Sequence, residues 1–240
     1  MQAERTPHDN MLARGLQILE FLARTTRASF GEINEALGGI SRATQSRILQ
    51  QLIGLGYVHR DPVSGHYAPG PRLGRLTPPV VRERRMALLN NYLPLMQELF
   101  RHYHLTVILQ ELDQHGHLVC IQRLCDASTA HMQAPGFVNT APDEPWQLLK
   151  MAFCSEHSAT VSDDVRQERR LEAIRQAGFY FDDGKLRPNF RRLGFPVFDG
   201  DGNYAGNLGA GGTSMDLTDE VKSEIIERVQ TYYRDLGLRD

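Results

Sequence analysis

The stretch Ser41-Arg-Ala-Thr-Gln-Ser-Arg-Ile-Leu-Gln-Gln-Leu52, continued past Gly54-Leu-Gly56 by Tyr57-Val-His-Arg-Asp-Pro-Val-Ser-Gly-His-Tyr67, decides how this chain is read. Ile48, Leu49, Leu52, Ile53 and Leu55 fall on one side of a helix. Arg42, Thr44, Gln45, Ser46 and Arg47 occupy its first turns with side chains suited to base edges and phosphates. Upstream, Ser29-Phe-Gly-Glu32 is a capping box opening a short helix with Ile33, Ala36 and Leu37 turned inward and a stop at Gly38-Gly39. Two short helices about a glycine turn predict a helix-turn-helix. Residues 57–60 and 66–68 predict two strands around the turn Asp61-Pro-Val-Ser-Gly65, a wing. Met11, Leu12, Leu16, Leu19 and Leu22 predict a first helix with apolar surface left over for a partner. An arginine-bearing amphipathic helix alone is ordinarily a solvated face. The ordered set within about 70 residues points to duplex DNA.

Charge supports the same division. The first 85 residues hold 12 arginines, no lysine and seven acids, a net of +5, whereas the rest is net −7, so the chain total of −2 hides a basic head on an acidic body. Only the head is expected to touch DNA. A length of 240 residues with 41% apolar content fits two small soluble domains. Three cysteines, Cys120, Cys125 and Cys154, are too few for a disulfide framework. No run approaches 18 apolar residues, and the first ten residues lack a signal-peptide core, so a cytoplasmic protein without a membrane partner is expected.

Residues 70–79, with three prolines and two glycines, close the first domain. A linker helix follows through Met86, Leu89 and Leu93, and Pro94 should force a kink or a restart. Strands are predicted at 105–112 and 118–124, a loop at 134–145, and helices at 146–153 and 163–177. Strands at 193–198 and 204–210 flank the turn Asp199-Gly-Asp-Gly-Asn203, and a last helix is capped by Thr218. The fold class is α+β. A winged helix-turn-helix at 1–76 joins, through a linker helix at 77–93, an antiparallel-sheet domain at 94–240 with helices on one side.

Arg14-Gly-Leu-Gln-Ile-Leu-Glu-Phe-Leu22, Arg42-Ala-Thr-Gln-Ser-Arg-Ile-Leu49 with Gly56-Tyr-Val-His-Arg-Asp61 and Tyr67-Ala-Pro-Gly-Pro-Arg-Leu73, and Gly178-Phe-Tyr-Phe-Asp-Asp-Gly184 with Phe195-Pro-Val-Phe-Asp-Gly-Asp-Gly202 resemble the IclR family of bacterial transcription factors over nearly the whole chain. The resemblance implies a GAF-like, effector-binding second domain and a dimer or dimer of dimers. It breaks at Asn139-Thr-Ala-Pro-Asp-Glu-Pro-Trp146, where members carry a segment of small residues, and at Arg191-Arg192, where they carry a small residue.

His102, His104, His115, His117, Cys120, Cys125 and His131 lack the paired spacing of a zinc site, and Asp199-Gly-Asp-Gly-Asn203 lacks the later positions of a calcium loop. Neither metal nor cofactor is expected. Cys154 and His157 have no third group to make a nucleophile, so an enzyme tethered to DNA ranks last. The expected DNA contacts are Arg42, Ala43, Thr44, Gln45, Ser46 and Arg47, with Arg60, His66 and Tyr67 of the wing. The expected effector site is an anion pocket with Arg192 as the fork, Trp146 and Phe195 as apolar walls, and close backbone approach at Gly209 and Gly211. Alternatively, Arg192 pairs with Asp182 or Asp183 and closes the site. The function that follows is a DNA-binding transcriptional regulator controlled by a small carboxylate; the alternative is a constitutive regulator whose second domain only oligomerises.

Overall fold

Asn10 opens the described chain by accepting the Ala13 amide at 2.7 Å and so starting α1 (Met11–Thr25). The computed structural model describes residues 10–126, 132–139, 144–154 and 165–238. The chain divides into two units, Met1–Arg82 and Glu83–Asp240.

In the first unit the capping box forms with both of its bonds. The Ser29 amide donates to Glu32 at 2.6 Å, the Glu32 amide donates to the Ser29 hydroxyl at 3.3 Å, and α2 (Phe30–Ala36) follows. Gly38 and Gly39 both take positive φ, 73° and 78°, a turn that side chains resist, and it leads into α3 (Arg42–Gly54), capped by Ser41. The wing is β1 (Val58–Arg60) against β2 (Tyr67–Pro69). Ala28 and Tyr67 exchange two backbone bonds, 2.9 and 2.8 Å, which tie the wing to the segment before α2. The core is Ile18, Leu22, Ala28, Ile33, Ile48, Leu49, Val58 and Tyr67. Ile53 and Leu55, expected inside, are exposed, because α3 buries a narrower stripe than its apolar content allows, and Ala36, the last residue of α2, is exposed as well.

The helix α4 (Pro79–Tyr103) runs unbroken through Pro94, so no restart occurs there. The Tyr232 hydroxyl donates to the Asn91 carbonyl at 2.7 Å, three residues before that proline. Then come β3 (Thr106–Leu112), β4 (Leu118–Leu124), β5 (Val138–Asn139), α5 (Pro145–Phe153), α6 (Val165–Ala177), β6 (Tyr180–Asp183), β7 (Phe190–Phe198), β8 (Tyr204–Thr213) and α7 (Asp219–Asp235). The six strands form one antiparallel sheet in the order β5-β4-β3-β8-β7-β6.

Strand alternation divides the core. Val107, Leu109, Leu193, Phe195 and Leu208 pack with Tyr92, Leu95 and Leu99 of α4 and Ile225 and Val229 of α7. Ile108, Leu118 and Cys120 pack with Trp146 and Leu149 of α5 and Leu171 and Ile174 of α6. Helices therefore cover both faces, not one as expected, because both faces of β3, β7 and β8 are apolar.

β6 pairs only residues 191–194 of β7. Farther along that edge Pro196 has no amide to satisfy, and helix tyrosines replace the missing strand. Tyr233 donates to the Pro196 carbonyl at 2.7 Å. The Tyr92 hydroxyl accepts the Phe198 amide at 3.1 Å and lies 3.2 Å from the Phe198 carbonyl, to which it donates. Burial pushes the Tyr92 phenol up to about 12, so it stays a protonated donor.

Candidate nucleic-acid interface and ligand cavity

At the head of α3, Arg42, Ala43 and Arg47 are exposed and Thr44 and Ser46 are half-buried. The Ser41 hydroxyl caps the Thr44 amide at 3.2 Å and sits 2.8 Å from the Thr44 hydroxyl, so the first turn is ordered before any partner arrives. The Arg42 guanidinium lies 5.5 Å from the Phe30 ring centre, which directs it without neutralising it. Gln45 departs from expectation. It is fully buried, donates to the Phe30 carbonyl at 2.7 Å and accepts the Asn34 amide at 2.6 Å. Asn34 also donates to the Ile40 carbonyl, so Gln45 and Asn34 clasp α2 to α3 and neither is free to read a base. Helical phase explains the difference: Gln45 lies one turn before Leu49 and shares its inward face.

The wing tip is held by Asp61. Its carboxylate takes the Ser64 hydroxyl at 2.6 Å and the Val63 amide at 2.9 Å, and these bonds, the hydroxyl first, hold its pKa below the ordinary value. Arg60 is exposed and His66 half-buried, whereas Tyr67 is a core residue whose ring lies under the Arg60 guanidinium at 5.6 Å. Tyr67 is therefore corrected from DNA contact to wing support; its burial follows from its backbone pairing with Ala28.

In the second unit a cavity of about 390 Å³ is lined by Met132, Gln133, Phe137, Glu144, Trp146, Leu186, Arg187, Phe190 and Arg192. Arg192 is here, and it is already paired. Its Nε and Nη2 donate to one Asp182 oxygen at 3.1 and 2.9 Å, and its Nη1 donates to Glu144 at 2.7 Å. Asp183 instead pairs with Arg191 at 2.6 Å, on the opposite face of β7. Phe195 is also on that opposite face, three residues from Arg192, packed near Phe179 with ring centres 6.1 Å apart. It is not a wall of this cavity.

Trp146 lines the cavity and covers the glycine track. A Cβ on Gly209 would lie 2.4 Å from its ring, and one on Gly194 would lie 2.9 Å away. A Cβ on Gly211 would meet the Met132 sulfur at 2.6 Å. The close approach expected at Gly209 and Gly211 is thus made to the protein's own side chains, and a ligand would lie beyond them. Behind the track, Asn207 donates to Gln110 and to the Trp146 carbonyl, both at 3.2 Å, Tyr204 donates to Asn207 at 2.8 Å, and Gln110 donates to Gln133 at 2.6 Å. Glu144, Gln133, Arg187 and Phe190 were not singled out in the sequence. A glycine run facing the chain's only tryptophan was the signal available for the track, and none was available for the rest.

Among the described residues no group of three His, Cys, Asp or Glu side chains is placed to hold a metal; His131 and His157 lie outside those residues. Burial pushes the Cys120 thiol up to about 11, which leaves it protonated at neutral pH. No described helix is long and apolar enough to cross a membrane.

The family model of the IclR helix-turn-helix domain matches residues 11–62. The whole chain is similar in fold to the IclR of Thermotoga maritima, with a TM-score of 0.64 and 22% identity over 96% of this chain and 100% of that one. It is also similar to an IclR transcriptional regulator of Alicyclobacillus acidocaldarius, with a TM-score of 0.61 and 18% identity over 97% and 98%. An IclR homolog of Microbacterium hydrocarbonoxydans, solved in complex with 4-hydroxybenzoate, shares 19% identity over 94% and 100%, with a TM-score of 0.61. No curated protein matches the chain in sequence. Residues 11–62 thus form a capped helix-turn-helix of the IclR type, and the chain as a whole has the fold of solved IclR transcriptional regulators.

Proposed function

We propose that the chain reads a DNA operator through Arg42, Ala43, Thr44, Ser46 and Arg47, with Arg60 and His66 of the wing near phosphate or the minor groove, under control of a small carboxylate held near Arg192. The observation that carries the effector reading is the cavity itself: Arg187 and Arg192 in its lining, Phe137, Leu186 and Phe190 as apolar walls, and volume for a single ring. The 4-hydroxybenzoate bound by the Microbacterium hydrocarbonoxydans homolog is of that class. A thermal-shift series with aromatic and aliphatic carboxylates tests it, since a ligand at 100 times its Kd stabilises the native state by about 2.7 kcal/mol. The second reading, a constitutive regulator, is favoured by the two carboxylates already on Arg192, and no shift across the series would support it.

Arg42→Ala and Arg47→Ala are each expected to weaken operator binding by about 1–3 kcal/mol, measured by fluorescence anisotropy on the upstream region of the gene at matched salt. Two variants that bind like the parent would remove α3 from the interface. The chain is also proposed to be a dimer or dimer of dimers. Leu12 and Leu16 of α1 are 72% and 53% exposed and Met86 of α4 is half exposed, apolar surface that water disfavours. Light scattering should give at least twice the 27.1 kDa of one chain; a monomer at micromolar concentration would refute it.

A further inference from the structure

Arg192 divides its donors between two carboxylates of different character. Asp182, with its side chain 1% exposed, takes Nε and Nη2 on one oxygen, while its other oxygen accepts the Lys185 amide at 3.1 Å, so it is fixed in the fold. Glu144 takes the remaining Nη1 from the cavity wall, and its side chain is 28% exposed. Glu144 also stands at the N-cap position of α5 without capping it: its side chain makes no bond to the first turn, and Pro145 follows directly. A carboxylate released from Arg192 would remain beside a helix N-terminus, where the dipole favours negative charge.

We infer that Glu144 is a tethered competitor for the effector: its carboxylate occupies the Arg192 Nη1 site that a ligand carboxylate would take, and so sets both the affinity and the charge selectivity of the cavity. This rests on the effector reading above. A carboxylate held on the same chain acts at millimolar or higher effective concentration, so only an anion that also gains from the apolar walls displaces it. Uncharged analogues lack the charge-assisted bond needed to compete. Phe137 and Leu186, both about half exposed at the cavity mouth, supply the surface that such a ligand would cover.

The test uses the full chain, with 4-hydroxybenzoate and benzoate as probes and 4-hydroxybenzamide as the uncharged control, titrated by calorimetry and by the fluorescence of Trp146, the chain's single tryptophan. Glu144→Gln keeps size and a neutral acceptor, and should bind the acids about tenfold more tightly while leaving the amide unchanged. Arg192→Ala should bind the acids at least tenfold more weakly. If Glu144→Gln binds the acids no better than the parent while Arg192→Ala loses them, the competitor role is overturned and the effector reading stands. If neither the parent nor Glu144→Gln binds either acid, both fall. A melting curve for each variant confirms that it is folded.

Discussion

Trp146→Ala should cost the second unit about 4 kcal/mol, read as a fall in the urea midpoint at unchanged slope. The side chain is 1% exposed and reaches Gly194 and Gly209, where the sheet has no side chains of its own. Alanine would leave a void over the two glycines that Leu149 and Ile108, which already border them, can fill only in part, so the cavity term adds to the lost transfer term. Gly209→Ala gives the opposite perturbation, since its Cβ would lie 2.4 Å from the indole and 3.0 Å from Ile108. A loss under about 1 kcal/mol for Trp146→Ala would show that the helix carrying it collapses onto the sheet, and that the glycines serve something other than the indole.

Asp182→Ala is the second large effect, a loss of about 3 kcal/mol, because it leaves the Arg192 guanidinium poorly compensated and the Lys185 amide without its acceptor. The diagnostic is the double variant. Arg192→Met placed on Asp182→Ala should recover part of the loss, since the cost lies in a buried charge left with Glu144 alone and not in missing volume. Strictly additive losses in the urea midpoints would show that the two residues do not depend on one another.

The first unit was largely legible in its sequence because its signals are local. A capping box, paired glycines and a hairpin turn each act within a few residues, and Ser29, Gly38 and Asp61 do what their neighbours imply. Gln45 and Tyr67 are polar or amphipathic by residue type, whereas their roles depend on partners 11 to 39 residues away, Asn34 and Ala28, which no local pattern shows. In the second unit, the hairpins around residues 113–117 and 199–203 showed in the turn chemistry. β6 did not, since Tyr180–Asp183 is a four-residue edge strand with no alternation of its own. Phe195, expected as a wall of the anion pocket, lies three residues from Arg192 on one strand, and that odd spacing puts the two side chains on opposite faces. The pairing of Arg192 with Glu144 spans 48 residues, and no local pattern announces it.

The edge of β7 carries a practical consequence. The Phe198 amide is sheltered by a phenol 106 residues earlier in the chain. Its proton cannot exchange with solvent deuterium until Tyr92 withdraws, and the hydroxyl cannot withdraw without also releasing the Phe198 carbonyl. The exchange rate of that single amide therefore gauges how firmly α4 is seated on the sheet, separately from the unfolding of the strands beside it.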